Sequence, residues 1–304
     1  MFNEVYKSYS NTVEKYATLN PWTNVLGLSR SILAFGFLIT LLFNDIHTLF
    51  PISKVEMMES GMLYLPIHKI SIYYILNEYL LFSKLITILI LLWVLSGYIP
   101  QVSCFFHWWV CFSYFITSPL IEGGDQIMSI MTLFLIPICI FDNRLNHWSK
   151  PKINFKPKIQ LFVWSVVFII QIQFSLVYFN AVISKLGVYE WAYGTAIYYW
   201  FTNEIIGASE PIRSFVFDIT SNSYIVVLLT WGTLLLEFLL GAWIFMKRNK
   251  WNWKILFILG VCFHFGIVVM FGLVSFFFSM LAVLIFYFFP KENHINLLKY
   301  VKKN

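Results

Sequence analysis

The sequence predicts an all-α protein, a polytopic transmembrane helical bundle of about eight membrane spans with both termini cytoplasmic. Three observations carry that prediction. Of 304 residues, 59% are hydrophobic and only 12% charged, against roughly 25% charged in soluble domains. The apolar residues gather in runs close to the roughly 20 needed to cross a bilayer as a helix. Lys and Arg cluster between alternate runs, which is the signature of a fixed orientation in the membrane. Too little polar surface remains to cover a water-facing body. The net charge of +6 follows from topology and does not point to nucleic acid.

Residues 1–23 form an arm in which Phe2, Val5, Tyr6, Tyr9, Val13 and Tyr16 recur at three- and four-residue spacing. That spacing predicts an amphipathic helix on the inner membrane surface. The membrane domain spans 24–290. Its first span, Val25–Phe43, reads as a true span and not a cleaved signal, because a polar arm precedes it and no small-x-small site follows. The stretch Asn44–Tyr79 contains Met57–Tyr64 and Ile70–Leu76, apolar but too short to cross, and these are expected as interfacial helices. Spans then follow at Leu80–Tyr98, Val102–Thr117, Gln126–Phe141 and Ile159–Ile183. Ser184–Ser223 is an excursion rich in Tyr and Trp, side chains that favour the headgroup level. Tyr224–Met246 is the sixth span. Ile255–Phe289 is too long for one helix and divides near Gly272–Ser275. A basic tail occupies 291–304.

Orientation follows from the cations. The arm, the loop holding Arg144 to Lys158, the loop holding Lys247 to Lys254 and the tail contain 15 of the 21 basic residues. Five others, Lys54, Lys69, Lys84, Lys185 and Arg213, fall on the opposite side, and Arg30 lies inside the first span. Eight spans put every cluster on the cytoplasmic side, whereas seven would turn the tail outward. The four cysteines, Cys104, Cys111, Cys139 and Cys262, have no CxxC spacing and read as small buried hydrophobes.

Ionisable groups inside a membrane cost roughly 2.5–3.5 kcal/mol each at a helix centre, so each one is a candidate. Glu237 sits mid-span in WGTLLLEFLLG and His264 mid-span in GVCFHFG. Each is nine residues from the inner end of its helix, roughly 13 Å up, so the two are expected to meet, with Arg30 in reach of Glu237. That buried polar network of Arg30, Glu237 and His264 has two readings: a knot that fixes helix register, or a cofactor or proton site. Lys185 ends the fifth span on the outer side. It reads either as a lysine snorkelling to headgroups or as a desolvated amine able to act as a base. Asp125, after Gly123–Gly124, is expected to cap a helix or rim a site. Asp142, Arg144 and His147 are expected to anchor the inner end of the fourth span. No phosphate loop, Ser-His-Asp order, HExxH or metal-ligand spacing occurs.

The stretch YFNAVISKL followed by WAYG resembles the signature of the HTTM domain, the membrane domain shared with vitamin K-dependent gamma-carboxylases. WGTLLLEFLLGAW and FHFGIVVMFGLVSFFFSML fit the same pattern. GLSRSILAFGFLITLLFN and EGGDQIMSIMTLFLIPICIFDNRLNHW are similar to the bacterial sporulation-delaying protein B (SdpB) family, over nearly the whole chain. The resemblance implies a multi-pass protein of the bacterial plasma membrane, in contact with lipid and not nucleic acid. It implies maturation or export of a secreted antimicrobial peptide toxin, together with a small SdpA-like partner and a toxin precursor. The carboxylase side of the resemblance implies Lys185 as catalytic base and a vitamin K-like quinone as cofactor, although the extramembrane substrate domain of those enzymes is missing here. A quinone- or lipid-dependent enzyme and a non-catalytic immunity or transport protein are the alternatives.

Overall fold

The computed structural model describes residues 2–50, 66–119, 122–150, 156–247, 249 and 251–289. Among them there is no β-strand, and one isolated bridge joins Tyr98 to Asn146. The α-helices are α1 (Phe2–Thr18), α2 (Asn24–Phe43), α3 (Ile46–Leu49), α4 (Ile72–Ile75), α5 (Leu80–Ser96), α6 (Pro100–Thr117) and α7 (Gly123–Ile140). They continue with α8 (Pro157–Leu186), α9 (Tyr189–Ala192), α10 (Ala196–Phe201), α11 (Glu210–Thr220), α12 (Ser223–Ala242), α13 (Asn252–Phe271) and α14 (Val274–Phe288). Six helical segments are long and apolar enough to cross a membrane: α2, α5 with the turn before it, α7, α8, α12 with the turn after it, and α13. The protein is a membrane protein. Two further apolar stretches expected to span are also helical. Of these, α6 is interrupted by Gln101 and His107, and α14 has 15 residues, about 22 Å at 1.5 Å per residue.

The described residues form two compact units, Met1–Phe168 with Phe278–Asn304, and Ile169–Phe277. In the first, α2 is the central post: 67% of its apolar window is buried. Close approach to α14 explains much of that. Ser29 donates its hydroxyl to the Ala282 carbonyl at 2.7 Å, and a Cβ on Gly36 would lie 2.5 Å from that of Phe278. Only glycine lets the two backbones come this near, the usual device of helices packed inside a membrane.

The segment Ile70–Leu76, expected at the membrane interface, packs one face onto this unit. Ile72 and Tyr73 are almost wholly buried. Ser71 shares a hydrogen bond with Thr117 at 2.6 Å, and Tyr73 donates to Thr87 at 3.2 Å while stacking on Phe50. Its polar atoms find partners on α5 and α6, so one face of the run is packed while Ile70 and Ile75 stay exposed. Met57–Tyr64 and the basic tail lie outside the described residues.

At the far end of α5, Gly97 adopts φ +80° and closes the helix, after which Pro100 opens α6 where a missing N–H costs nothing. The loop after α7 locks onto this corner. Arg144 forks onto Asp142 at 2.7–3.1 Å, and donates to the carbonyls of His147 and Ser149 at 2.8 and 2.9 Å. Gln101 donates to the carbonyls of Asp142 and Arg144. His147 N–H bonds to Gly97 O at 3.0 Å and Ile99 N–H to Leu145 O at 2.8 Å.

His147 in this loop is held neutral. Burial, then the charges of Arg30 and Arg144, push its pKa down to about 3 from about 6.5. Below pH 6.5 the unfolded chain binds a proton that the folded chain refuses, so stability present above 6.5 is lost as pH falls toward 3. The slope from this one group is at most about 1.4 kcal/mol per pH unit. Unfolding midpoints of the detergent-solubilised protein at pH 7 and pH 4 measure it. His147→Gln is expected to shrink the difference between them, and an unchanged difference would assign the acid sensitivity elsewhere.

In the second unit, α8 and α12 run antiparallel, with Ser175 donating to Gly241 O at 2.7 Å and Phe179 edge-on to Phe238. Val182 packs with Leu234, Trp191, Ala196 and Ile197. Only 17% of the apolar window of α13 is buried, which leaves Ile255, Ile258, Leu259, Phe265 and Val269 exposed. So continuous an apolar face belongs against lipid. Cys262 is exposed on this helix, in contrast to its three buried counterparts and to the expectation from sequence, because α13 has neighbours over only a small part of its surface.

Candidate functional site

The α8–α12 register sets the site. Ser175, Tyr178, Val182 and Lys185 follow at helical spacing, so they share one face of α8, and all of them meet α12 or α13. A helical side chain leans toward the N-terminus of its own helix. In antiparallel neighbours the two leans oppose, so Lys185 reaches back along α8 while Glu237 reaches the other way along α12. The Lys185 ammonium donates to both carboxylate oxygens, at 2.5 and 2.6 Å.

The pair is asymmetric in its exposure. The Glu237 side chain is 7% exposed and that of Lys185 25%, so the carboxylate is the buried anchor and the ammonium stands at the mouth. Trp191 covers it, with Nζ 5.3 Å from the ring centre. The indole is itself fixed by the two tight connections on either side of α9. Val188 accepts from Trp191 N–H, and Gly194, at φ +79°, reverses the chain back toward α10.

Below the pair, Tyr178 and His264 share a hydrogen bond at 3.1 Å. His264 is 2% exposed, its ring set edge-on against Phe263 and Phe276. Its Nδ1 has no hydrogen-bond partner, so one ring nitrogen stays available in an otherwise aromatic cage.

The structure shows a partner for each member of the expected network of Arg30, Glu237 and His264. Glu237 takes Lys185 as its partner, a residue that its position at the helix end had set apart from it. His264 is held by Tyr178. Arg30 belongs to the first unit and donates to Ser103 Oγ at 2.7 Å. The pairing of Lys185 with Glu237 was missed because depth was counted from Cα positions; the opposed lean of two long side chains closes the remaining gap. The face Ser175–Tyr178–Val182–Lys185 was the signal that could have found it. Asp125 is not an N-cap but the third residue of α7, whose cap is Glu122. Its carboxylate accepts the Glu122 N–H at 3.1 Å and so closes a reciprocal capping box. Among the described residues no cluster of three or more His, Cys, Asp or Glu is arranged to hold a metal ion.

Chemically, the site offers one partly exposed cation with a buried counter-charge, one aromatic cover and one buried imidazole. In this arrangement the hydrogens of the Lys185 amine are directed at Glu237. A proton can be taken up from a substrate here only after the pair opens. As placed, Lys185 is engaged as a donor to Glu237 and is not poised as a free base.

No protein-family model matches the chain, and no solved structure matches it. Two proteins of Bacillus subtilis (strain 168) are similar along nearly their whole lengths. One is the uncharacterized protein YitO, 33% identical over 297 residues, covering 95% of this chain and 93% of YitO. The other is the sporulation-delaying protein SdpB, 35% identical over 295 residues, covering 94% of this chain and 88% of SdpB. Identity at this level over almost the entire chain, on a helical membrane protein, makes this chain a member of the SdpB-like family.

Proposed function

We propose that the protein acts in the bacterial plasma membrane to mature or export a secreted antimicrobial peptide toxin, with the Lys185–Glu237 pair as the site that handles the peptide. The observation that carries this reading is the ion pair itself: a cation held at the mouth of an apolar helix pair, one-quarter exposed, over a counter-charge that stays buried. Two of the three ammonium hydrogens go to Glu237, so the third can be given to a carbonyl of an incoming chain while the buried carboxylate keeps its partner. The similarity to SdpB, whose name is that of a sporulation-delaying protein, supplies the process.

In this reading α6 and α14 complete eight spans. The basic loops and tail then face the cytoplasm, and the Lys185 end of α8 faces outward, where an exported precursor emerges. A small SdpA-like protein and the precursor are the partners. Deleting the gene in a toxin-producing strain tests the proposal, with culture fluid assayed for growth inhibition and for the peptide by mass spectrometry. Precursor synthesis without active peptide outside is expected. Normal release of active peptide would reject it, and normal release from a producer that has become sensitive to its own toxin would assign immunity instead.

A further inference from the structure

The first unit encloses a second polar centre that the proposed function does not use. A small cavity of about 10 Å³ is lined by Trp22, Gly27, Arg30, Cys139, Asp142 and His147 among others. Arg30 is 2% exposed. Its Nη2 donates to Ser103 at 2.7 Å, and its Nη1 has no hydrogen-bond partner at all. A buried guanidinium without a counter-charge is among the least tolerable arrangements in a folded protein, and more so within a membrane.

Among the described residues that line the cavity, no acid is left to neutralise it. Asp142 is the one acid there, and both its oxygens are already taken by the Arg144 fork. With Arg144 matched to Asp142, the Arg30 charge is left over. His147 is neutral and shares its Nε2 with Ser31 at 3.4 Å, while its Nδ1 also lacks a partner. The helix ends offer no net help. Pro100 brings the positive end of α6 to the cavity and Cys139 the negative end of α7, partial charges of opposite sign. The carbonyl of Ile138, another lining residue, accepts the Trp22 indole N–H at 2.8 Å.

We propose that this cavity is a binding site for a single halide ion, chloride under cellular conditions, held by Arg30 Nη1. The space is of the order of one water-sized particle, which favours a monatomic anion over phosphate or sulfate. Water would satisfy the N–H but not the charge; a monatomic anion does both. The ion completes the tie between α2, α6 and the loop after α7, and it needs nothing from the Lys185 site.

The test is thermal unfolding of the purified full-length protein in detergent, titrated with sodium chloride or bromide against sodium gluconate at constant ionic strength. The unfolding temperature is expected to rise saturably with either halide, by about 5 °C at roughly a hundred times the dissociation constant, and not with gluconate or phosphate. Arg30→Met is expected to remove the halide dependence. Should that variant not fold, Ser103→Ala, which frees the other guanidinium nitrogen but keeps the charge, is expected to shift the halide midpoint. Equal unfolding temperatures in chloride and gluconate for the unaltered protein would overturn the proposal. So would stabilisation by phosphate as large as that by chloride, which would point to lipid headgroups at an open surface.

Discussion

Lys185→Ala is expected to abolish release of active toxin, by more than about tenfold, a factor that corresponds to about 1.4 kcal/mol, while the protein still reaches the membrane. The substitution leaves the Glu237 carboxylate buried without its partner. Breaking a fully buried pair from one side costs about 3–5 kcal/mol, and the exposure of Lys185, 25% of its side chain, places this pair below that range. A loss of function from Lys185→Ala alone would therefore mix two causes. The double substitution Lys185→Ala with Glu237→Gln separates them. It removes both charges, so the unfolding midpoint is expected to recover most of what the single variant loses. Toxin release is expected to stay absent if the ammonium itself contacts the peptide. Recovery of release together with stability would reduce the pair to a structural tie between α8 and α12. Protein level by blotting, the unfolding midpoint and secreted peptide by mass spectrometry are the three readouts.

Arg144→Ala is expected to be the most destabilising single change in the first unit, by about 3–5 kcal/mol. It strands the Asp142 carboxylate, which is 4% exposed, and leaves the carbonyls of His147 and Ser149 without their donor. Unsatisfied buried acceptors each add about 1–3 kcal/mol, but the loop can open to water and recover part of that. The loop also holds the α5–α6 corner through Gly97 and Ile99, so the loss propagates beyond the ion pair. Unfolding of the detergent-solubilised protein is expected at a temperature lower by about 10 °C, at about 2–4 °C per kcal/mol for a chain of this size. Asp142→Asn, which keeps an acceptor for the guanidinium, is expected to cost clearly less. Similar midpoints for the two variants would mean that the charge, and not the fork of hydrogen bonds, does the holding.

The two polar centres differ in how they manage buried charge. At Lys185 and Glu237 the charges match one to one, and the ammonium is the more exposed partner. Around Arg30 the count among the described residues is uneven, with two guanidinium groups and one carboxylate.

The membrane-spanning character of the chain was fully legible in the sequence, because helix length and hydropathy are local quantities that the bilayer reads one segment at a time. The division of Ile255–Phe289 is an example. Gly272 takes φ +70° and ends α13 where the sequence had placed the break, since only the immediate neighbours decide a left-handed turn. The acid and base residues worth attention were equally plain, as each stands alone in an apolar run. What the sequence left open was which of them meet. Arg30, Glu237 and His264 seemed to share a depth, yet depth along a helix says nothing about rotation around it or about which helix lies alongside. The packing of α8 against α12, and the opposed lean of their side chains, delivered Glu237 to Lys185. The packing of α2 against α6 left Arg30 with Ser103 and an unfilled valence. The apolar run Ile70–Leu76 shows the same division. Its composition is that of an interfacial helix, and only the hydroxyls of Ser113, Thr117 and Thr87 on neighbouring helices decide which of its faces is packed. Local chemistry fixed which segments are helices in a membrane; tertiary contacts, which depend on all segments at once, decided which charges are paired.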